Sequence, residues 1–178
     1  MRGAGRLRGK DVVAAPLCEA ALIAIAGVAA WIAHAPLLFA SLGPTAYELV
    51  ETPERQSAKP YNVIVGHLIG VLAGLGAVWV TRADAVAAVG AGSVPLARVW
   101  AAAIASAITV LLTLLLRATQ PAAIATTLLI ALGMMQGWRS GVEIMAAVLL
   151  MTLVGEPLRA WRRRDIGIDE KPLKMLEK

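Results

Sequence analysis

The chain has 178 residues, of which 58% are hydrophobic and 16% charged, and its mean hydropathy is +0.71. Soluble domains carry about 25% charged and about 45–50% apolar residues, so the composition excludes an ordinary soluble domain and points to a single membrane-embedded one. The net charge of +5 does not point to nucleic acid. Arg2, Arg6, Arg8 and Lys10 precede the first apolar run, and Arg159, Arg162, Arg163, Arg164, Lys171, Lys174 and Lys178 follow the last, as expected of cytoplasmic flanks beside anionic headgroups.

The first apolar run, Leu17 to Ile32, reaches the roughly 20 residues of a membrane span only with its flanks. A cleaved signal peptide is the rival, with a small-residue pattern at Ala33, His34 and Ala35. Pro36 directly after that point, and the further apolar runs, argue against cleavage. Cys18 lies in this run and reads as a small buried hydrophobe; a lone cysteine rules out an intramolecular disulfide.

Residues 34–50 form the first break. Pro36, Gly43 and Pro44 do not fit together in one regular helix, and proline favours the first helical turn. A short helix is therefore predicted from Pro44 through Tyr47 and Glu48 towards Glu51, followed by a polar loop. Glu48 and Glu51 share a face and are expected to pair at the surface with Arg55 or Lys59, the alternative being to gate cations.

Tyr61 to Val80 reads as a clear span. Gly66, Gly70 and Gly74 recur at four-residue spacing, a face that lets another helix approach closely. His67 lies inside it, and an ionisable residue at that depth is a functional candidate; its alternative is a neutral histidine bonded between helices. A Gly/Ala-rich loop leads from Arg82 to Arg98.

Arg98 to Leu116 is the next span. RATQPAAIATT, ending at Thr127, is the second break, with a short helix predicted from Pro121. A loop from Met134 to Gly141 leads to the final span, Val142 to Leu158, with Glu156-Pro157 marking its exit. Arg117 is placed at the membrane boundary, its alternative being to attract an anion at a mouth.

The expected fold is all-α and polytopic: four transmembrane helices plus two short broken or re-entrant helices. Residues 1–14 form a basic cytoplasmic tail, 15–161 the transmembrane domain, and 162–178 a charged cytoplasmic tail. Both termini then share the cytoplasmic side with Arg82 and Arg98, leaving Arg55, Lys59, Arg117 and Arg139 outside. If residues 121–135 crossed fully, the basic tail would fall on the other side. Each half, about 15–81 and 98–161, contains a span, a proline break, a short helix, a polar loop and a second span, a weak internal duplication.

A helix start inside the bilayer leaves N–H groups unpaired with partial positive charge and can hold a small anion. Ser41, Gly43 and Thr45 surround the first such start, at Pro44; Thr119, Gln120, Thr126 and Thr127 surround the second, at Pro121. The alternative is a pair of proline kinks whose polar groups only satisfy backbone. No nucleophile–base set or enzyme motif is visible, no cofactor is implied, and His34 and His67 lack the companions of a metal site.

Ser41, Leu42, Gly43, Thr45 and Ala46, followed by Pro60, Asn62, Gly66 and His67, resemble the signature of the HPP family of integral membrane proteins. The resemblance covers roughly Pro36 to Trp161. The family's His-Pro-Pro motif is replaced here by Gln120-Pro121-Ala122; Gln120 hydrogen-bonds but does not titrate. The resemblance implies a four-span helical membrane protein, and the plasma membrane is the expected location. Some photosynthetic members are linked to nitrite transport. The expected function is passage of a small solute, best a monovalent anion such as nitrite, by a homo-oligomer in the lipid bilayer, with Ser41, Gly43, Thr45, Asn62, His67, Gln120, Pro121 and Thr126 as site residues. The rival is a non-transporting membrane scaffold.

Overall fold

The computed structural model describes residues 9–90 and 92–165. Residues 1–8 and 166–178, which hold most of the two predicted tails, lie outside the described residues. Six α-helices follow in order: α1 (Gly9–Ala33), α2 (Leu42–Glu51), α3 (Pro60–Thr81), α4 (Leu96–Leu115), α5 (Ala122–Ala131) and α6 (Gly137–Asp165). Short 3₁₀ turns at Gln56–Ala58 and Ala83–Ala85 lie in the connections. α1, α3, α4 and α6 are long and apolar enough to cross a membrane, and α2 and α5 are not. The protein is therefore an all-helical, multi-pass membrane protein.

Three boundaries differ from expectation. α6 starts earlier than Val142 and continues through Pro157 to Asp165. A proline inside a helix costs one backbone hydrogen bond, but here the helix continues for two more turns. Its last turns are anchored by Arg159 and Arg162, and the helix runs on through residues 162–165 at the start of the predicted charged tail. At the other terminus α1 already includes residues 9–14.

The two breaks open in the same way. At the end of α1, His34 adopts φ 47°; the N–H of His34 reaches the Trp31 carbonyl and that of Ala35 reaches Ala30. At the end of α4, Arg117 adopts φ 52°; the N–H of Arg117 reaches Leu114 and that of Ala118 reaches Thr113. Both are left-handed helix stops of the Schellman kind, made without glycine. Each is followed by an irregular lead-in and a ten-residue helix.

The packing pairs follow the same duplication. α5 lies against α4 of its own half and α3 of the other; α2 lies against α1 of its own half and α6 of the other. Contacts along α3 fix directions. Tyr61 donates to the Leu116 carbonyl and Asn62 to that of Thr119. Gly66 faces Gln120, Gly70 faces Ala123 and Gly74 faces Ile130. Arg98, at the start of α4, reaches the Ala131 carbonyl at the end of α5. The second lead-in and α5 thus run beside α3 in the same direction, from its Tyr61 end to its far end. α6 returns, because Arg159 and Arg162 bond the Pro53 and Val50 carbonyls just before α3. This corrects the charge map: the end of α6 lies with the loop holding Arg55 and Lys59, opposite the Arg82–Arg98 loop. The cause is that α5 with its lead-in traverses the bundle instead of turning back.

The glycine face of α3 lets α5 come this close. A Cβ on Gly66 would lie 2.6 Å from the Gln120 Cβ, and one on Gly70 would lie 2.7 Å from the Ala123 carbonyl oxygen. The other half is filled by Leu22, Ala26, Leu42, Leu49, Val50, Ile144, Val148 and Met151.

Candidate functional site

α2 begins in the middle of the bundle. Ser41 stands at its N-cap but does not cap its own helix. Its hydroxyl lies 2.7 Å from the Thr126 hydroxyl, on the second turn of α5. One turn further along α2, Thr45 Oγ1 donates to the Ser41 carbonyl at 3.1 Å and lies 3.0 Å from His67 Nε2. His67 Nδ1 is 2.7 Å from Thr126 Oγ1. Ser41, Thr45, His67 and Thr126 are all 0% exposed. Three elements, α2, α3 and α5, therefore meet through four side chains from distant parts of the sequence.

The donors in this network can be assigned by elimination. The Thr45 hydroxyl has one proton, which it gives to the Ser41 carbonyl, so it can only accept from His67. Nε2 then carries the imidazole proton. In a neutral ring Nδ1 is the acceptor, so Thr126 donates to it, and Ser41 donates to Thr126. Every side-chain polar hydrogen of these four residues is used, and the bonds run in one direction.

A second polar cluster lies nearer the Tyr61 end. Glu48, one turn beyond Thr45, turns its carboxyl towards Ser57 and Gln120, with Arg55 acting on it from the loop. Gln120 is 3% exposed, yet neither of its amide atoms completes a hydrogen bond, and Glu48 Oε2 likewise has none. The Gln120 amide thus bears on the carboxylate without reaching bonding geometry. Glu48 is buried rather than paired at the surface, which corrects the expectation for it. The loop of residues 52–59 folds over the end of α2 and encloses the carboxyl.

The remaining expected residues divide. Asn62 holds the second lead-in onto α3 through the Thr119 carbonyl at 3.1 Å. Gly43 has no neighbour within 4 Å of where its Cβ would stand, and Pro121 is exposed at the N-cap of α5. Both stand outside the network: they shape the helix starts and present nothing to it. At the start of α5 the Ala123 and Ile124 N–H groups are already taken by the Gln120 and Pro121 carbonyls.

The sequence reading missed the buried cations. Arg98 is 1% exposed. It reaches the carbonyls of Ala131, Val86 and Ala87 at 3.3, 3.1 and 3.4 Å. Gly133, with φ 82°, gives it room, since a Cβ there would lie 2.7 Å from the guanidinium carbon. A cavity of about 310 Å³ opens beside it, lined also by Asp84, Gln136 and Met135. At the opposite end Arg162 reaches the Val50 carbonyl at the end of α2 at 3.2 Å. Both ten-residue helices thus carry a guanidinium at the negative end of the helix dipole. Composition placed these arginines with the loop and tail charges. A signal was present in the helix-compatible runs around them, which carry each arginine into a helix end. Thr109 and Thr127 were also missed as a pair; they bond at 2.9 Å and tie α4 to α5.

The sequence model of the family described as "HPP, transmembrane region" matches residues 7–164 of the chain. No curated protein and no solved structure gives a significant match.

Proposed function

The chain belongs to the HPP transmembrane family, and from that premise we propose that it carries a small solute across the membrane, by preference a monovalent anion such as nitrite. The observation that supports this reading is the meeting of the start of α2 with α5, at Ser41 and Thr126, with His67 bridging back to Thr45. Broken helices that start inside a bilayer and meet there are how transporters place polar groups at mid-membrane. The two halves open their breaks alike and interlock, as expected of halves that rock against each other about a central site. On this reading the arrangement, with Ser41, Thr45, His67 and Thr126 all buried, corresponds to a closed state.

Gln120 and Thr126 are the proposed solute contacts. Gln120 holds a buried amide with unused donors and an unused acceptor, and Thr126 is the joint of the network. Nitrite as the particular anion rests on the family resemblance and not on geometry. Passage through a plasma membrane by a homo-oligomer belongs to the same proposal.

The experiment is anion flux into proteoliposomes with nitrite, nitrate, formate and chloride compared. Saturable and selective flux that disappears in Gln120→Leu supports the reading. Wild-type flux in Gln120→Leu removes Gln120 from the route, and absence of flux for every anion in folded, inserted protein overturns the transport reading. One observation favours the scaffold instead: Ser41, Thr45, His67 and Thr126 satisfy one another completely. A packed, static core would do the same.

A further inference from the structure

Glu48 stands one turn from Thr45 on α2, so the two side chains share a face, and Thr45 is bonded to His67. The carboxyl is buried, faces the Gln120 amide and Ser57, and leaves Oε2 unpartnered. A carboxylate withdrawn from water without full pairing is costly, and binding a proton removes the cost. An amide suits such a group in both states: its NH₂ donates to the carboxylate, and its carbonyl accepts from the acid. The Gln120 amide is unpartnered on both atoms, so it is free to serve either form.

The surroundings leave this carboxyl without a committed counter-ion. Arg55 acts on it from the loop, but its alternatives are few. On α6, Arg159 is taken by Glu156 and the Pro53 carbonyl, Arg162 holds the Val50 carbonyl, and Arg163 is also engaged. α1 brings Cys18 and Glu19. α2 itself adds Glu51, the loop adds Glu54 and Lys59, α3 adds His67 and Tyr61, and α5 has no titratable residue.

We infer that Glu48 is the proton site of the transporter, taking up a proton as an anion arrives at Gln120 so that the two cross together as a neutral pair. This rests on the transport reading. The step adds one proton to a carboxylate oxygen and makes or breaks no other bond. Its logic is charge: an ionised Glu48 beside Gln120 repels an incoming anion, and the neutral acid does not.

The test uses full-length protein in vesicles with a pH dye inside and a potassium diffusion potential imposed by valinomycin. Nitrite and nitrate are the probes, with protein-free vesicles subtracted for leakage of nitrous acid. The wild type is expected to acidify the lumen as anion enters, at a rate indifferent to the potential. Glu48→Gln is expected to keep anion flux, lose the proton signal entirely, and become driven by the potential; Glu48→Asp is expected to restore coupling. Anion flux in the wild type without proton movement, or with a requirement for sodium, overturns the inference while leaving transport standing. The same holds for proton signals equal in Glu48→Gln and wild type. If Glu48→Gln does not fold, Glu48→Asp decides: coupled flux with a shifted pH dependence supports Glu48 as the proton site, and a pH dependence equal to wild type overturns it. No flux of either anion in folded wild type removes the transport reading and this inference with it.

Discussion

Nδ1 of His67 lies 2.7 Å from the Thr126 hydroxyl, and the direction of that contact is set from the other end of the buried network. Because Thr45 spends its proton on the Ser41 carbonyl, the ring donates from Nε2 and accepts at Nδ1. A charged ring has no acceptor nitrogen, so protonation would force Thr126 to turn its hydroxyl towards Ser41. The joint between α2 and α5 is therefore coupled to the state of one imidazole on α3.

The tautomer is directly observable. Nitrogen-15 spectra of the histidine-labelled protein in bilayers are expected to show His67 as a neutral ring protonated at Nε2. A ring protonated at Nδ1 would break the assignment, because Thr45 would then have no donor to accept from. Thr126→Val keeps the shape and removes the hydroxyl. It leaves His67 Nδ1 and Ser41 Oγ without their partner, at a cost of about 1–3 kcal/mol, to be read as lowered thermal stability in detergent.

The glycine face of α3 gives a paired prediction. Gly70→Ala places a Cβ 2.7 Å from the Ala123 carbonyl oxygen, whereas a Cβ on Gly76 meets nothing within 4 Å. The obstacle at Gly70 is backbone, which cannot swing aside, so α5 must shift. Gly70→Ala is expected to destabilise by about 1–3 kcal/mol, and Gly76→Ala to stay within about 0.5 kcal/mol of wild type. Equal melting curves for the two variants would mean that α5 does not seat against α3 as described.

Much of this arrangement was legible in the sequence, for identifiable reasons. Pro44 and Pro121 marked the two short helices because proline favours the first helical turn, and Gly66, Gly70 and Gly74 marked the face that receives α5. His67 and Thr126 were legible as candidates because polar groups are conspicuous inside apolar runs. Glu48 and Arg98 were misplaced for the opposite reason: both sit near polar loops, where burial depends on what folds over them. Glu48 is enclosed by the loop of residues 52–59 and by Gln120, and Arg98 by the end of α5. Neither contact is local in sequence. The crossing direction of α5 was equally hidden, since its ten residues are too short to declare a span and only the lead-in makes up the distance.

Arg98 supports a different prediction, on the end of α5 rather than its start. Its guanidinium serves three carbonyls on two segments, a geometry that the compact ammonium of lysine does not reproduce. Arg98→Lys is expected to cost about 2–3 kcal/mol by leaving buried carbonyls unpaired. Hydrogen exchange should rise at residues 131–136 and 86–89, with residues 60–70 unchanged. Uniform exchange across the whole chain would indicate global loosening instead of release of this one end.

Accessibility decides between a moving gate and a fixed core. Thr45 and Thr126 are fully buried, so a cysteine at either position meets water only if α2 and α5 separate. If the halves rock, Thr45→Cys and Thr126→Cys are expected to react with a membrane-impermeant thiol reagent in vesicles, slowly without solute and at a changed rate when nitrite is added. Cys18 is first replaced by Ala so that the signal belongs to the introduced thiol. Replacing His67 by Phe in the same background removes the hydrogen bonds that hold the two helices and should speed labelling where the gate reading holds. Labelling at neither position, with or without His67, would mark the network as a static joint. The geometry of four mutually satisfied side chains would then serve assembly of the bundle and not a route through it.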